Sequence, residues 1–141
     1  MAYKDQALEY HKQGYNCAQA VVCAFKDQFD LDETTLFKLS EAFGLGMGNM
    51  EGTCGALSGA LMVAGYLNST GKLGSEMPKS KAQTYQIDRT IAAQFLELNG
   101  SMLCKDLKSK GPGFVPCDTC IARACDILEK ELENIKGTTF E

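Results

Sequence analysis

The stretch that decides the fold runs GLGMGNMEG (Gly44 to Gly52) and then TCGALSGALMVAGYL (Thr53 to Leu67). Four glycines in the first nine residues rule out a good helix interior, because each costs about 1 kcal/mol against alanine. A loop that needs unusual backbone angles or close approach is expected there. Thr53 can cap the next segment, and Cys54 to Leu67 then reads as a helix that is apolar on most of its sides. Such a helix belongs at the centre of a core. Leu61 is expected to be buried in it. Gly55 with Gly59, and Ala56 with Ala60, place small residues four apart, where a neighbouring helix can come close. That neighbour belongs either to the same chain or to a second copy in a homodimer.

Outward from this centre the apolar spacing stays helical. Residues 2–13 carry Tyr3, Ala7 and Tyr10 on one face. Asn16 with Gln19 forms a capping-box pattern ahead of Ala18, Val21, Val22, Phe25 and Phe29. Asp32 can cap a helix bearing Leu36, Leu39 and Phe43. Residues 68–78 read as a polar connection. A long helix over 79–99 comes next, with Ile87, Ile91, Phe95 and Leu98 as its stripe and Gly100 as its C-terminal stop. Ser101 can cap a short helix that includes Cys104. Residues 108–115, with Gly111-Pro112-Gly113, read as loop. Pro116 then opens a last helix with Cys117, Ile121, Ala124, Leu128, Leu132 and Ile135 on one face. No strand, linker or repeat interrupts the pattern. The expectation is a single all-α domain spanning residues 1–141, with about six to seven helices around Cys54–Leu67.

The chain has 141 residues, 45% hydrophobic and 23% charged, with a net charge of −4. That size suits one ordinary domain. The negative balance argues against nucleic-acid partners, which call for a basic surface. The charge-free stretch from Gly52 to Gly71 is rich in small and polar residues and too short in its apolar part for a bilayer, so no membrane insertion is expected. The N-terminus shows no apolar signal core, which gives cytoplasmic as the expected location.

One histidine and seven cysteines are the unusual counts. A lone His11 argues against hydrolytic triads and reads most simply as a surface residue. Cys17, Cys54, Cys104 and Cys117 each fall in a predicted first helical turn. Free amide groups and the helix dipole there favour a thiolate, which is both the nucleophile and the metal ligand. Cys23 and Cys125 lie inside helices and read as small buried hydrophobes. Cys120 completes a C-x-x-C with Cys117, but no strand precedes it as a thioredoxin-like motif requires, and no histidine comes after it for haem attachment. The glycine loop lacks the ending of a P-loop.

Together these segments resemble the prokaryotic family of redox-active proteins known by the pattern C_GCAxxG_C_C. GYNCAQAV (Gly14 to Val21) resembles its first cysteine segment, FGLGMG (Phe43 to Gly48) its glycine loop, and CGALSG (Cys54 to Gly59) its CGAxxG signature. SMLC (Ser101 to Cys104) and the segment opening at Cys117 resemble the last two. The resemblance implies a helical protein with Cys17, Cys54, Cys104 and Cys117 as the functional set, and it leaves Cys23, Cys120 and Cys125 outside the pattern. A related domain occurs in cytochromes that carry haem and an iron–sulfur centre. Three readings stay open. The four cysteines act in thiol–disulfide exchange or electron transfer with an unidentified redox partner, as an oxidoreductase would use them. Alternatively they ligate a metal, zinc or an iron–sulfur cluster. In the third, the chain is a helical interaction module in which the thiols only pack. On the redox reading Cys54 is expected to be the most reactive thiol, since it comes after a glycine loop and opens the central helix.

Overall fold

A computed structural model describes residues 2–73, 79–109 and 111–137. Among them are seven α-helices: α1 (Tyr3–Lys12), α2 (Cys17–Ala24), α3 (Glu33–Ser40), α4 (Gly55–Asn68), α5 (Lys79–Asn99), α6 (Cys104–Lys108) and α7 (Cys117–Gly137). The all-α expectation holds, and α4 is the central helix. It packs against α2, α5 and α7, while α1 bridges α2 and α7. No helix among the described residues is long and apolar enough to cross a membrane.

Local chemistry sets most of the boundaries. The Asn16 side chain accepts from the Gln19 amide at 2.9 Å, and the Gln19 side chain accepts from the Asn16 amide at 3.0 Å. This reciprocal capping box starts α2. Asp32 caps α3 through the Thr35 amide at 2.8 Å. Gly100, at φ +85°, stops α5. Three expected boundaries shift. Helix α4 begins at Gly55 with Cys54 as its N-cap residue, so Thr53 is not the cap. Helix α6 begins at Cys104 after Leu103, and Ser101 instead bonds the Leu103 amide and the Asp106 carboxylate. Helix α2 ends at Ala24, and a short 3₁₀ turn (Lys26–Gln28) carries the chain on to Phe29. Part of the 68–78 connection, residues 74–78, lies outside the described residues.

The two glycines of the signature have a packing reason. A Cβ on Gly55 would sit 3.0 Å from the Phe43 carbonyl and 3.2 Å from the Ala18 amide nitrogen. One on Gly59 would sit 3.0 Å from the Ala18 carbonyl and 3.2 Å from the Val21 Cβ. The close neighbour expected along this stripe is therefore α2 of the same chain. Without the glycines, α2 and α4 would have to move apart.

The core gathers Val21, Val22, Phe25, Leu36, Leu57, Val63, Ile91, Phe95, Ile121 and Leu128 with the small residues between them. Some expected apolar-face residues lie further out: Tyr3, Phe29, Phe43, Leu61 and Ile87 are only half-buried, and Leu39 and Leu98 are exposed. Leu57 is the deeper residue of α4. Leu57→Ala should cost about 2–5 kcal/mol of stability in urea unfolding, whereas Leu39→Ala should stay within about 0.5 kcal/mol.

Candidate functional site

The site forms where two backbone segments are stitched together ahead of α4 and α6. The Cys54 amide donates to the Met102 carbonyl at 2.7 Å, and the Cys104 amide to the Gly52 carbonyl at 3.0 Å. Thr53 and Leu103 form an isolated antiparallel bridge between these bonds. The Lys105 amide adds a bond to the Met50 carbonyl at 3.0 Å. Cys54 and Cys104 are thereby fixed side by side.

The glycine loop folds over this stitch. Leu45, Met47 and Met50 all have positive φ, at 54°, 65° and 66°. L-residues with side chains rarely adopt this region, and such strain concentrates at functional sites. Gly46, also left-handed, lies so close over Cys104 that any Cβ there would collide with the cysteine's own Cβ. Gly44 lies equally close under the Asn16 side chain. The loop thus ties the start of α2 to the start of α6. It also leaves Leu45 and Met47 53% and 46% exposed.

Cys17, Cys54, Cys104 and Cys117 all come to this one end of the bundle. Cys17 opens α2, Cys117 opens α7, and each thiol is the largest influence on the other's ionisation. In that pair Cys117 carries the negative charge. Its pKa is pulled down to about 5, first by the Cys17 hydrogen bond and then by Lys108 and His11, against the opposing effect of burial. Cys17 is pushed well above the ordinary thiol range by the same hydrogen bond, by desolvation, and by the neighbouring sulfurs of Cys54 and Cys117. Burial, with Cys54 and Cys117 nearby, also raises Cys104.

Cys54 does not behave as its helix-start position predicts. It is 1% exposed. Its pKa is raised strongly, by a hydrogen bond to Cys120 first and by burial second, and the Ala56 and Leu57 amides offset this only in part. A partner cannot reach it from solvent. Among these four cysteines only Cys117 is partly exposed.

Three residues join the site that sequence reasoning had placed elsewhere or passed over. Cys120 is fully buried in the core, yet its thiol pairs with Cys54, and that bond lowers its pKa. Lys108 donates to the Val115 carbonyl at 3.0 Å and lies within reach of both Cys117 and Cys120. Burial alone would lower its pKa. The surrounding sulfurs of Cys120, Cys117 and Cys54 outweigh that and raise it. His11 on α1 bonds Asp118 at 2.7 Å, next to Cys117. The C-x-x-C spacing was a signal for Cys120. Nothing in the sequence marked Lys108, which sits in a predicted loop far along the chain from Cys17 and Cys54.

Cys23 and Cys125 stay apart from this cluster. The Cys23 thiol faces the Glu33 carbonyl at 3.9 Å, and its pKa rises to about 11 through burial. Cys125 is raised by desolvation in the core. Both match the expectation of packed thiols. Thiolates are suitable donors for zinc or a cluster. Among the described residues, however, no three His, Cys, Asp or Glu side chains are arranged to hold one metal ion.

A family model matches residues 15–131, which include the site's cysteines and Lys108 but not His11. Its description is "Putative redox-active protein (C_GCAxxG_C_C)". The chain belongs to this redox-active family. No curated protein and no solved structure matches the chain. Within the family's pattern, the Gly55 and Gly59 of CGAxxG are the positions that let α4 meet α2.

The depressed pKa of Cys117 sets the pH dependence of its reactivity. The thiolate is present above the folded value of about 5 and is lost as pH falls through it. Alkylation of Cys117 by iodoacetamide should therefore stay fast from neutral pH down to near that value, while an ordinary thiol slows over the range below about 8.5. Lys108→Met should move the Cys117 midpoint upward, as read by mass-mapped alkylation across pH.

Proposed function

We propose that this protein is a dithiol–disulfide oxidoreductase in which Cys117 is the nucleophile and Cys17 the resolving thiol. The observation that supports it best is that Cys17 and Cys117 open α2 and α7 and act most strongly on each other, the one whose pKa is lowered being also the more exposed. Chemistry comes from that asymmetry. The Cys117 thiolate attacks a substrate disulfide, forms a mixed disulfide and expels the first substrate thiolate, which takes up a proton. The Cys17 thiol, losing its proton as it reacts, attacks the Cys117 sulfur. The second substrate thiol leaves and the Cys17–Cys117 disulfide remains. The substrate gains two electrons and the protein loses two.

The surroundings suit this role. Lys108 and His11 stabilise the attacking thiolate, and Lys108 can also stabilise the one released. Leu45 and Met47 offer an apolar rim for a substrate. Maintaining the dithiol calls for a reducing compartment, in keeping with a cytoplasmic location.

Trapping tests the assignment. With a small aromatic disulfide as probe, Cys17→Ser should accumulate a mixed disulfide on Cys117, seen by intact mass and peptide mapping. Cys117→Ser should react at least about tenfold more slowly than the parent protein. Capture of the probe on Cys54, or equal slow reaction of all seven cysteines, would overturn it, the second outcome in favour of thiols that only pack.

A further inference from the structure

We infer that His11, held in place by Asp118, carries the protons of the exchange at Cys117, giving one to the sulfur that leaves the substrate and taking one from Cys17. This rests on the dithiol reading above and adds to it a residue outside the segment that the family model matches.

The fold brings His11 to the site by the register of two helices. Helix α1 lies antiparallel along α7, tied at one end by Lys4 to Asp126 at 3.5 Å and at the other by His11 to Asp118 at 2.7 Å. Ala7 and Tyr10 are buried between the two ties. Asp118 directly follows Cys117 at the start of α7, so the imidazole is fixed at the residue next to the most exposed sulfur of the site. A carboxylate only accepts, so Nδ1 carries the hydrogen of this bond and Nε2 is the nitrogen left for exchange. Nε2 has no hydrogen-bond partner among the described residues. The His11 side chain is 30% exposed, open enough for a substrate to meet it. The Asp118 side chain is 67% exposed, and an ion pair so placed adds little stability. Its use lies in aiming the ring, which makes Asp118 a positioning residue.

The exchange needs such a group. The first sulfur to leave the substrate takes up a proton, and the Cys17 thiol has to lose one before the second bond forms. Lys108 is badly suited to this, since its ammonium donates to the Val115 carbonyl at 3.0 Å and the nearby sulfurs make it hold its proton harder. Imidazole both gives and takes a proton near neutral pH, and His11 is the one histidine of the chain. In the first step the Cys117 thiolate attacks a substrate disulfide. The S–S bond breaks, its electron pair goes to the departing sulfur, and that sulfur takes the proton from imidazolium Nε2. In the second step the Cys17 S–H gives its proton to Nε2 as its sulfur attacks Cys117. The second substrate sulfur leaves with the electron pair of the mixed disulfide, and the imidazolium is restored. Two electrons have passed to the substrate, and one proton has moved from Cys17 to the first leaving group.

The test separates the two steps. The full reduced chain is mixed with one equivalent of 5,5′-dithiobis(2-nitrobenzoate) at neutral pH, both nitrothiobenzoate releases are followed by absorbance, and peptide mapping after an acid quench locates the transient adduct. Nitrothiobenzoate is a stable anion that leaves without a proton, so the first release has no need of His11. In His11→Gln the first release should stay within about twofold of the parent rate while the second slows at least about tenfold. With bis(2-hydroxyethyl) disulfide, whose departing thiolate is basic, the first step should slow as well. Asp118→Asn should shift the same steps in the same direction, and it decides the matter if His11→Gln does not fold. Parent rates for both releases, or equal slowing of both, would overturn the proton role and leave the dithiol reading standing, the second outcome because a charge that only stabilises the Cys117 thiolate does not single out the later step. An adduct on any cysteine other than Cys117 in the parent chain would overturn both.

Discussion

The contact of α4 on α2 through Gly55 and Gly59 is the constraint on which the site depends. The two glycines lie one turn apart, and both meet the backbone of Ala18 at about 3 Å from where a Cβ would be. Close-packed interiors do not absorb an added methyl group there without separating the helices. Since Cys54 is the residue before Gly55 and Cys17 the one before Ala18, the same contact sets the distance between two of the sulfurs. The central position of α4 therefore serves both stability and chemistry. Its apolar body fills the core, and its N-terminal end carries the site.

Around that contact the electrostatics divide the sulfurs into unlike partners. Four helix starts can supply amide dipoles, and on that ground each thiol has an equal claim to ionise. Burial breaks the equality. Cys17 and Cys54 are pushed above the ordinary thiol range, while Cys117 and Cys120 are pulled below it, helped by Lys108. The Lys108 ammonium acts on Cys117 and Cys120 together.

The glycine loop shows how a strained segment can be held. Three residues with side chains occupy left-handed backbone in a stretch of six. Such conformations cost of order 1 kcal/mol or more each and persist only when the surroundings over-determine them. Here the Gly48, Met50 and Gly52 amides bond back to the Gly44, Leu45 and Gly46 carbonyls. Asn16 and Cys104 press on the loop from either side. The strained loop leaves two apolar residues, Leu45 and Met47, exposed.

Helical spacing, capping residues and glycine positions sufficed for the all-α fold and for α4 as its centre, because these are local signals or run along one apolar stripe. Asn16, Asp32 and Gly100 act on their own neighbours, so their effects are legible in the chain. The reactivity order was not legible. Cys54 has the sequence context of an accessible helix-start thiol, yet the stitch to residues 102–104 and the packing of α7 bury it. Cys117, Cys120 and Lys108 acquire their properties from groups up to a hundred residues away, such as Cys17 and His11. A thiol's charge depends on its solvent access and on charges within a few ångströms in space, and only the tertiary structure decides both.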